Sequence, residues 1–274
     1  MFRPEAQRIS HMRTGFELIE VIYHATVRQL RGSHSNAVVA LVMNVLQAVL
    51  VLVLFVVMFD LLGMRRLALR GDFILYVMSG VFMFLTHVKA LGAVAAADSP
   101  ASAMMMHAPM NPIIAVVSAA LAALYKQTFA AGVILFVYHA VMQPITIFDP
   151  IGTMGMFILS WASGAAIGLI FYAAKPWQPD LVGILSTIYQ RANMIASGKM
   201  FVANQASAWL RSKFDWNPLY HTIDQARGDI FLNYQPRYTN IEYPIWAVLV
   251  CLMIGLMGQF FTRKYASASW GKRR

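Results

Sequence analysis

The chain has 274 residues, 59% of them hydrophobic and only 12% charged; that is about half the charged share of a soluble domain, which excludes an ordinary water-soluble globule. One cysteine, Cys251, excludes an intrachain disulfide and a cysteine-based metal cluster. The net charge of +10 does not argue for nucleic acid, because the Lys and Arg gather in the two tails and in loops beside apolar runs, where they orient membrane proteins.

The chain opens on mostly polar residues before its first apolar run at Ala37, without the short apolar core and small-residue cleavage site of a signal peptide, so the first span is expected to be retained. Within that opening, residues 12–32 read as an amphipathic helix. Phe16, Ile19, Tyr23, Val27 and Leu30 share one stripe, and Arg13, Glu17, Glu20, His24, Arg28 and Arg31 the opposite one. Such a helix is expected to lie on a membrane surface. Six apolar segments then predict spanning helices at 37–62, 73–97, 113–142, 151–174, 181–202 and 244–261. An even number of spans puts both termini on one side. The arginines before the first span and Arg263, Lys264, Lys272, Arg273 and Arg274 after the last make that side the cytoplasm. Arg65, Arg66, Arg70, Arg211 and Lys213 oppose this orientation.

Between the second and third spans, DSPASAMMMHAPMNPI carries no Lys or Arg and holds Met104, Met105 and Met106 ahead of His107 and Pro109. Flexible Met side chains suit an adaptable apolar contact. GAAIG at Gly164 to Gly168 fits the small-xxx-small pattern of closely approaching membrane helices. No internal repeat or linker divides the chain, which reads as one membrane domain over 1–274.

Motifs that carry chemistry are missing. SGK at Ser197 to Lys199 lacks the upstream glycine of a phosphate loop, and neither HExxH nor GxSxG occurs. No carboxylate pair falls within one span, so no catalytic residue and no metal or cofactor site is expected. What stands out is cationic. Lys89, Lys126 and Arg191 fall inside predicted spans with no acid in those interiors; a lone cation there costs at least about 2.5–3.5 kcal/mol and usually faces a bundle interior or a wet cavity. The aromatics Trp161, Tyr172, Tyr189 and Phe201 could line the same path.

Four stretches in one order carry a family resemblance: RTGFELIEVIYHATVRQLR at 13–31, YVMSGVFMFLTHVKALGAV at 76–94, the Met-rich loop closing on Asn111-Pro112, and WNPLYHTIDQAR at 216–227 ahead of a last span and basic tail. Together they resemble the membrane subunits of ABC-2 type exporters, most of all the inner-membrane permeases of capsular polysaccharide and O-antigen export. The resemblance implies an all-α polytopic membrane protein with six transmembrane helices, an N-terminal interfacial helix, and periplasmic re-entrant helices before the last span. Trp216, Asn217, Pro218, His221, Asp224 and Arg227 would belong to that re-entrant segment. It also implies a bacterial inner-membrane homodimer moving a lipid-linked polysaccharide, with periplasmic export proteins as further partners. ATP and Mg would be bound by a separate cytoplasmic ATPase, docked through the surface helix and Met104, Met105, Met106, His107 and Pro109. Two departures are visible, AVVSAALAALYKQ where many relatives carry an Arg and an acid early in span three, and ASGKMFVANQ where many carry a Pro after the SG. An ABC-2 exporter of drugs or lipids and an integral-membrane transferase on lipid-linked sugars are the alternatives.

Overall fold

The computed structural model describes residues 11–31, 36–63, 71–97 and 112–271. Among them the chain is helical throughout: α1 (His11–Arg31), α2 (Ala37–Leu61), α3 (Phe73–Ala95), α4 (Pro112–Val141), α5 (Pro150–Ala174), α6 (Pro179–Ala196), α7 (Ala208–Phe214), α8 (Pro218–Ile230) and α9 (Glu242–Gly271). Local chemistry sets the starts. Asn36, Asp72, Asp149 and Asn217 each turn a side-chain oxygen onto the N–H two residues ahead, and Pro150, Pro179 and Pro218 occupy first-turn positions where no N–H is needed. α2 stops where Gly63 takes φ 66°, the left-handed conformation common just past a helix end.

Five helices are long and apolar enough to cross a membrane: Val38–Leu61, Phe73–Ala95, Pro112–Val141, Pro150–Ala174 and Glu242–Tyr265. The fifth predicted segment, 181–202, behaves differently. Its helix α6 has 18 residues, about 27 Å at 1.5 Å rise, and carries Asp180, Gln190, Arg191 and Asn193. It ends at Ala196 because Gly198, at φ 70°, turns the chain, and a Cβ at that position would come within 2.5 Å of the Tyr220 ring.

Helices α2 to α6 alternate in direction, and α9 runs parallel to α5. At the end where α2 begins and α9 finishes, here the basal end, the Lys175 ammonium reaches the Ala95 carbonyl and Thr262 donates to the Ala173 carbonyl. At the opposite, apical end, the Tyr138 hydroxyl donates to Asp72 at 2.6 Å and the Asp149 N–H donates to the Asp229 carbonyl at 2.7 Å. α3 is the central element, with 83% of its most apolar window buried inside the protein against 22% for α2 and α9. Its tightest neighbour is α5. Cβ atoms added at Gly164 and Gly168 would lie 2.1 Å from the His87 carbonyl oxygen and 2.7 Å from that of Leu91, so the small residues allow backbone-to-backbone approach. α1 packs on α4 and, less, on α2. It buries Ala25 and leaves Leu18, Ile19, Val21 and Tyr23 exposed.

Candidate functional site

The polar segment 216–231 forms α8, which does not span. Its last turn meets the start of α5 at the apical end, while Thr222, two turns earlier, accepts a 2.9 Å hydrogen bond from Ser160. Ser160 is ten residues beyond Pro150, about 15 Å down α5. α8 therefore dips into the bundle, where Leu219, Tyr220, Ile223 and Ala226 are at most 1% exposed. Non-spanning backbone at that depth is tolerated only where protein or a cavity satisfies it, and here the polar side chains do so one by one.

Asn217 accepts from the Leu219 N–H and donates to the Asn193 side chain (2.7 Å) and the Ala196 carbonyl (3.0 Å), tying the start of α8 to the end of α6. His221 donates from Nε2 to the Asp215 carbonyl at 2.8 Å and accepts at Nδ1 from the Asn240 N–H, which sets its tautomer. Its ring lies 4.8 Å from that of Tyr243, whose hydroxyl donates to the Trp216 carbonyl. Arg227, fully buried, donates to the carbonyls of Gly198 (3.0 Å), Phe201 (2.6 Å) and Lys199 (2.6 Å) and lies over the Tyr76 ring. These are carbonyls of the turn just past α6, with no helical donors of their own. Asp224 accepts from the Ala203 N–H, the Tyr234 hydroxyl and the Thr239 hydroxyl. Asp224 and Arg227, three residues apart on α8, make no ion pair with each other; each meets different partners. Burial and the Asp224 charge raise the Tyr234 phenol above its ordinary range, and burial with the nearby Asp149 does the same for the Asp229 carboxyl.

A second polar chain joins four helices. The Tyr189 hydroxyl faces His87 Nε2 at 3.3 Å, His87 Nδ1 faces the Ser163 hydroxyl at 2.9 Å, and Ser163 donates to the Ser160 carbonyl. Because Ser163 spends its hydrogen on Ser160, His87 must donate from Nδ1 and accept at Nε2. The Ser160 hydroxyl carries the chain on to Thr222.

Of the cations expected on a path, Lys89 and Lys126 line one cavity of about 580 Å³ at the basal end, together with Asn44, Gln47, Gln127 and Gln190. Arg191 is exposed on α6 and does not line it. Trp161 donates to the Ala120 carbonyl between α5 and α4, Tyr172 is buried in the same cluster, and Phe201 stacks on Phe214 and Tyr220. These three pack helices within the protein. Met104, Met105, Met106, His107 and Pro109 lie outside the described residues.

Sequence reasoning passed over Lys199, treating it only as a failed phosphate loop. It is 2% exposed, its ammonium lies 3.2 Å from the Phe84 ring centre and 4.6 Å from that of Phe55, and it has no hydrogen-bond partner. Its place inside the predicted fifth span was the signal that could have found it.

The fold is that of a polytopic helical membrane protein, with no group of three or more metal-ligating side chains among the described residues. Neither protein-family models nor curated proteins give a match to the chain.

Proposed function

We propose that this chain is the membrane-spanning permease subunit of an ABC exporter of the ABC-2 type. It moves a lipid-linked capsular or other cell-surface polysaccharide from cytoplasm to periplasm, driven by ATP hydrolysis on a separate subunit. In this reading the basal end is cytoplasmic, α6 serves as the fifth of six spans, α1 lies at the cytoplasmic membrane surface, and two copies enclose the passage. The observation that carries it is α8: the segment with the most specific family resemblance is a helix that dips into the apical end of the bundle and returns without crossing. A soluble fold has no use for such an element, whereas at the mouth of a passage it supplies protein-lined backbone at membrane depth. The exposed apolar residues of α1 beside its exposed Glu17, Glu20, His24 and Arg28 suit an interfacial position.

The test is made in host membranes. A tagged full chain should co-purify an ABC ATPase in fixed ratio and a second, differently tagged copy of itself. Deleting its gene should strand glycan inside the cell while lipid-linked glycan continues to be made. Purification without an ATPase, together with unchanged surface polysaccharide after deletion, refutes the reading.

A further inference from the structure

We propose that the turn at residues 197–201 is a two-position latch, held down on α3 by Arg227 and biased toward release by the buried charge of Lys199. Among the described residues four buried side-chain atoms have no hydrogen-bond partner in the protein: Ser197 Oγ, Lys199 Nζ, Tyr220 Oη and Arg227 Nε. All four belong to this turn or to the α8 residues packed on it, since the Tyr220 ring abuts Gly198 and the Arg227 guanidinium bonds the carbonyls of Gly198, Lys199 and Phe201. Buried polar side-chain atoms are paired in the large majority of cases. Their concentration at one short turn marks a segment whose packing does not suit its own polar groups.

Lys199 is the least settled of them. An ammonium carries three donors, and here none of them reaches an acceptor; the group meets the ring faces of Phe84 on α3 and Phe55 on α2 instead. Attraction to the rings offsets part of the cost of burial and leaves the hydrogen bonds unmade. The direction of the side chain adds to that cost. Lysine stems at membrane depth normally carry the charge toward the nearer surface. The Lys199 Cβ instead lies against Gly80 and the ammonium on Phe84, one helical turn further from the apical end where α3 starts. A lone cation turned inward is costly, and turning it outward relieves the cost.

The opposing force acts on the same residues. Arg227 grips the carbonyls of the turn with charge-assisted hydrogen bonds. Glycine at position 80 lets both side chains nest on α3, because a Cβ there would lie 2.8 Å from the Lys199 Cβ and 3.0 Å from an Arg227 nitrogen. Gly198, at φ 70°, supplies the pivot. One cation thus holds the segment through its backbone oxygens while the other works against it through its own desolvation. Three charged hydrogen bonds make the held position the major one and release a minor state. Because the turn leads from the end of α6 toward α7 and carries the oxygens that anchor α8, its release frees α8 from α6 and α3 together. The inference depends on the turn alone and holds whatever cargo the protein moves.

Hydrogen exchange of the purified full chain, read by mass spectrometry on peptides covering residues 197–204, tests it. The Phe201 N–H bonds the Gly198 carbonyl and the Ala203 N–H bonds Asp224, so release exposes both amides. In the unaltered protein the turn should exchange faster than α5 around Ser160. Lys199→Met should slow it about tenfold, the scale of one buried polar interaction. Lys199→Arg, which keeps the charge, should not slow it, and Arg227→Lys, which gives up the fork of donors, should speed it. Exchange of the turn as slow as that of α5 in the unaltered protein would mean that the ammonium is settled where it lies, and overturns the proposal. Unchanged exchange in folded Lys199→Met does the same, as does equal slowing in Lys199→Arg, which would assign the effect to packing and not to charge.

Discussion

Exchanging the charges of Asp224 and Arg227 separates two accounts of the buried segment. Were the two residues partners, the double variant Asp224→Arg/Arg227→Asp would restore what either single change removes. The structure gives the opposite expectation. Arg227 faces three carbonyl oxygens, and Asp224 faces one N–H and two hydroxyls. An Asp at 227 would put a carboxylate against oxygens that cannot donate, and an Arg at 224 would meet an N–H that cannot accept. Removing Arg227 alone takes the donor from the Lys199 and Phe201 carbonyls, each worth about 1–3 kcal/mol, while the Gly198 carbonyl keeps the Phe201 N–H, so a loss of about 3–5 kcal/mol is reasonable for breaking a buried charged network. Asp224→Asn keeps an acceptor for part of its set and should lose about 1–3 kcal/mol. Thermal unfolding of the purified full chain, read as a double-mutant cycle, gives the answer. The swap should be at least as unstable as the worse single variant, and a dead swap is then no evidence of substrate contact. Recovery of most of the lost stability would show that the two residues do pair, and the assignment of their partners would be wrong.

Further outcomes follow from the packing and from the proposed function. Gly164→Val should abolish monodisperse protein in gel filtration, because even its Cβ would overlap the His87 carbonyl, whereas Gly132→Ala, where a Cβ meets nothing within 4 Å, should raise stability by about 0.5–1 kcal/mol. Lys199→Met keeps the stem and deletes an ammonium that has no hydrogen-bond partner, so the melting temperature should hold or rise; a clear fall would mean that the ammonium is paired. Replacing Met104, Met105 and Met106 by Asp should leave membrane insertion intact and remove co-purification of the ATPase, and an unchanged complex would exclude that loop as the docking element.

Much of the fold is visible in the sequence because lipid allows little choice: apolar runs near 20 residues must become helices whose backbone satisfies itself. Asp72, Asp149, Pro150 and Asn217 likewise mark helix starts to within a residue. The segment 181–202 is where this reading overreaches, since apolarity averaged across it hides Gly198. One residue at positive φ ends α6 early and puts residues 198–201 where Arg227 can collect their carbonyls. A polar residue in a membrane sequence signals only that its hydrogen-bonding groups need partners, and ligand, water and protein satisfy that need equally.

That ambiguity is resolved by counting donors and acceptors in place. In the 216–231 segment Asn217, Thr222, Asp224 and Arg227 each meet groups from other parts of the chain, so its polarity substitutes for water around irregular backbone and leaves little for a ligand to take up. Around Lys89 the surroundings differ. Gln47 accepts from Lys89 and Asn44 from Gln127, and these side chains border a cavity that Lys126 and Gln190 also line. Both regions read alike in the sequence, as charges and amides interrupting apolar helices, yet one is packed against neighbouring backbone and the other borders a cavity.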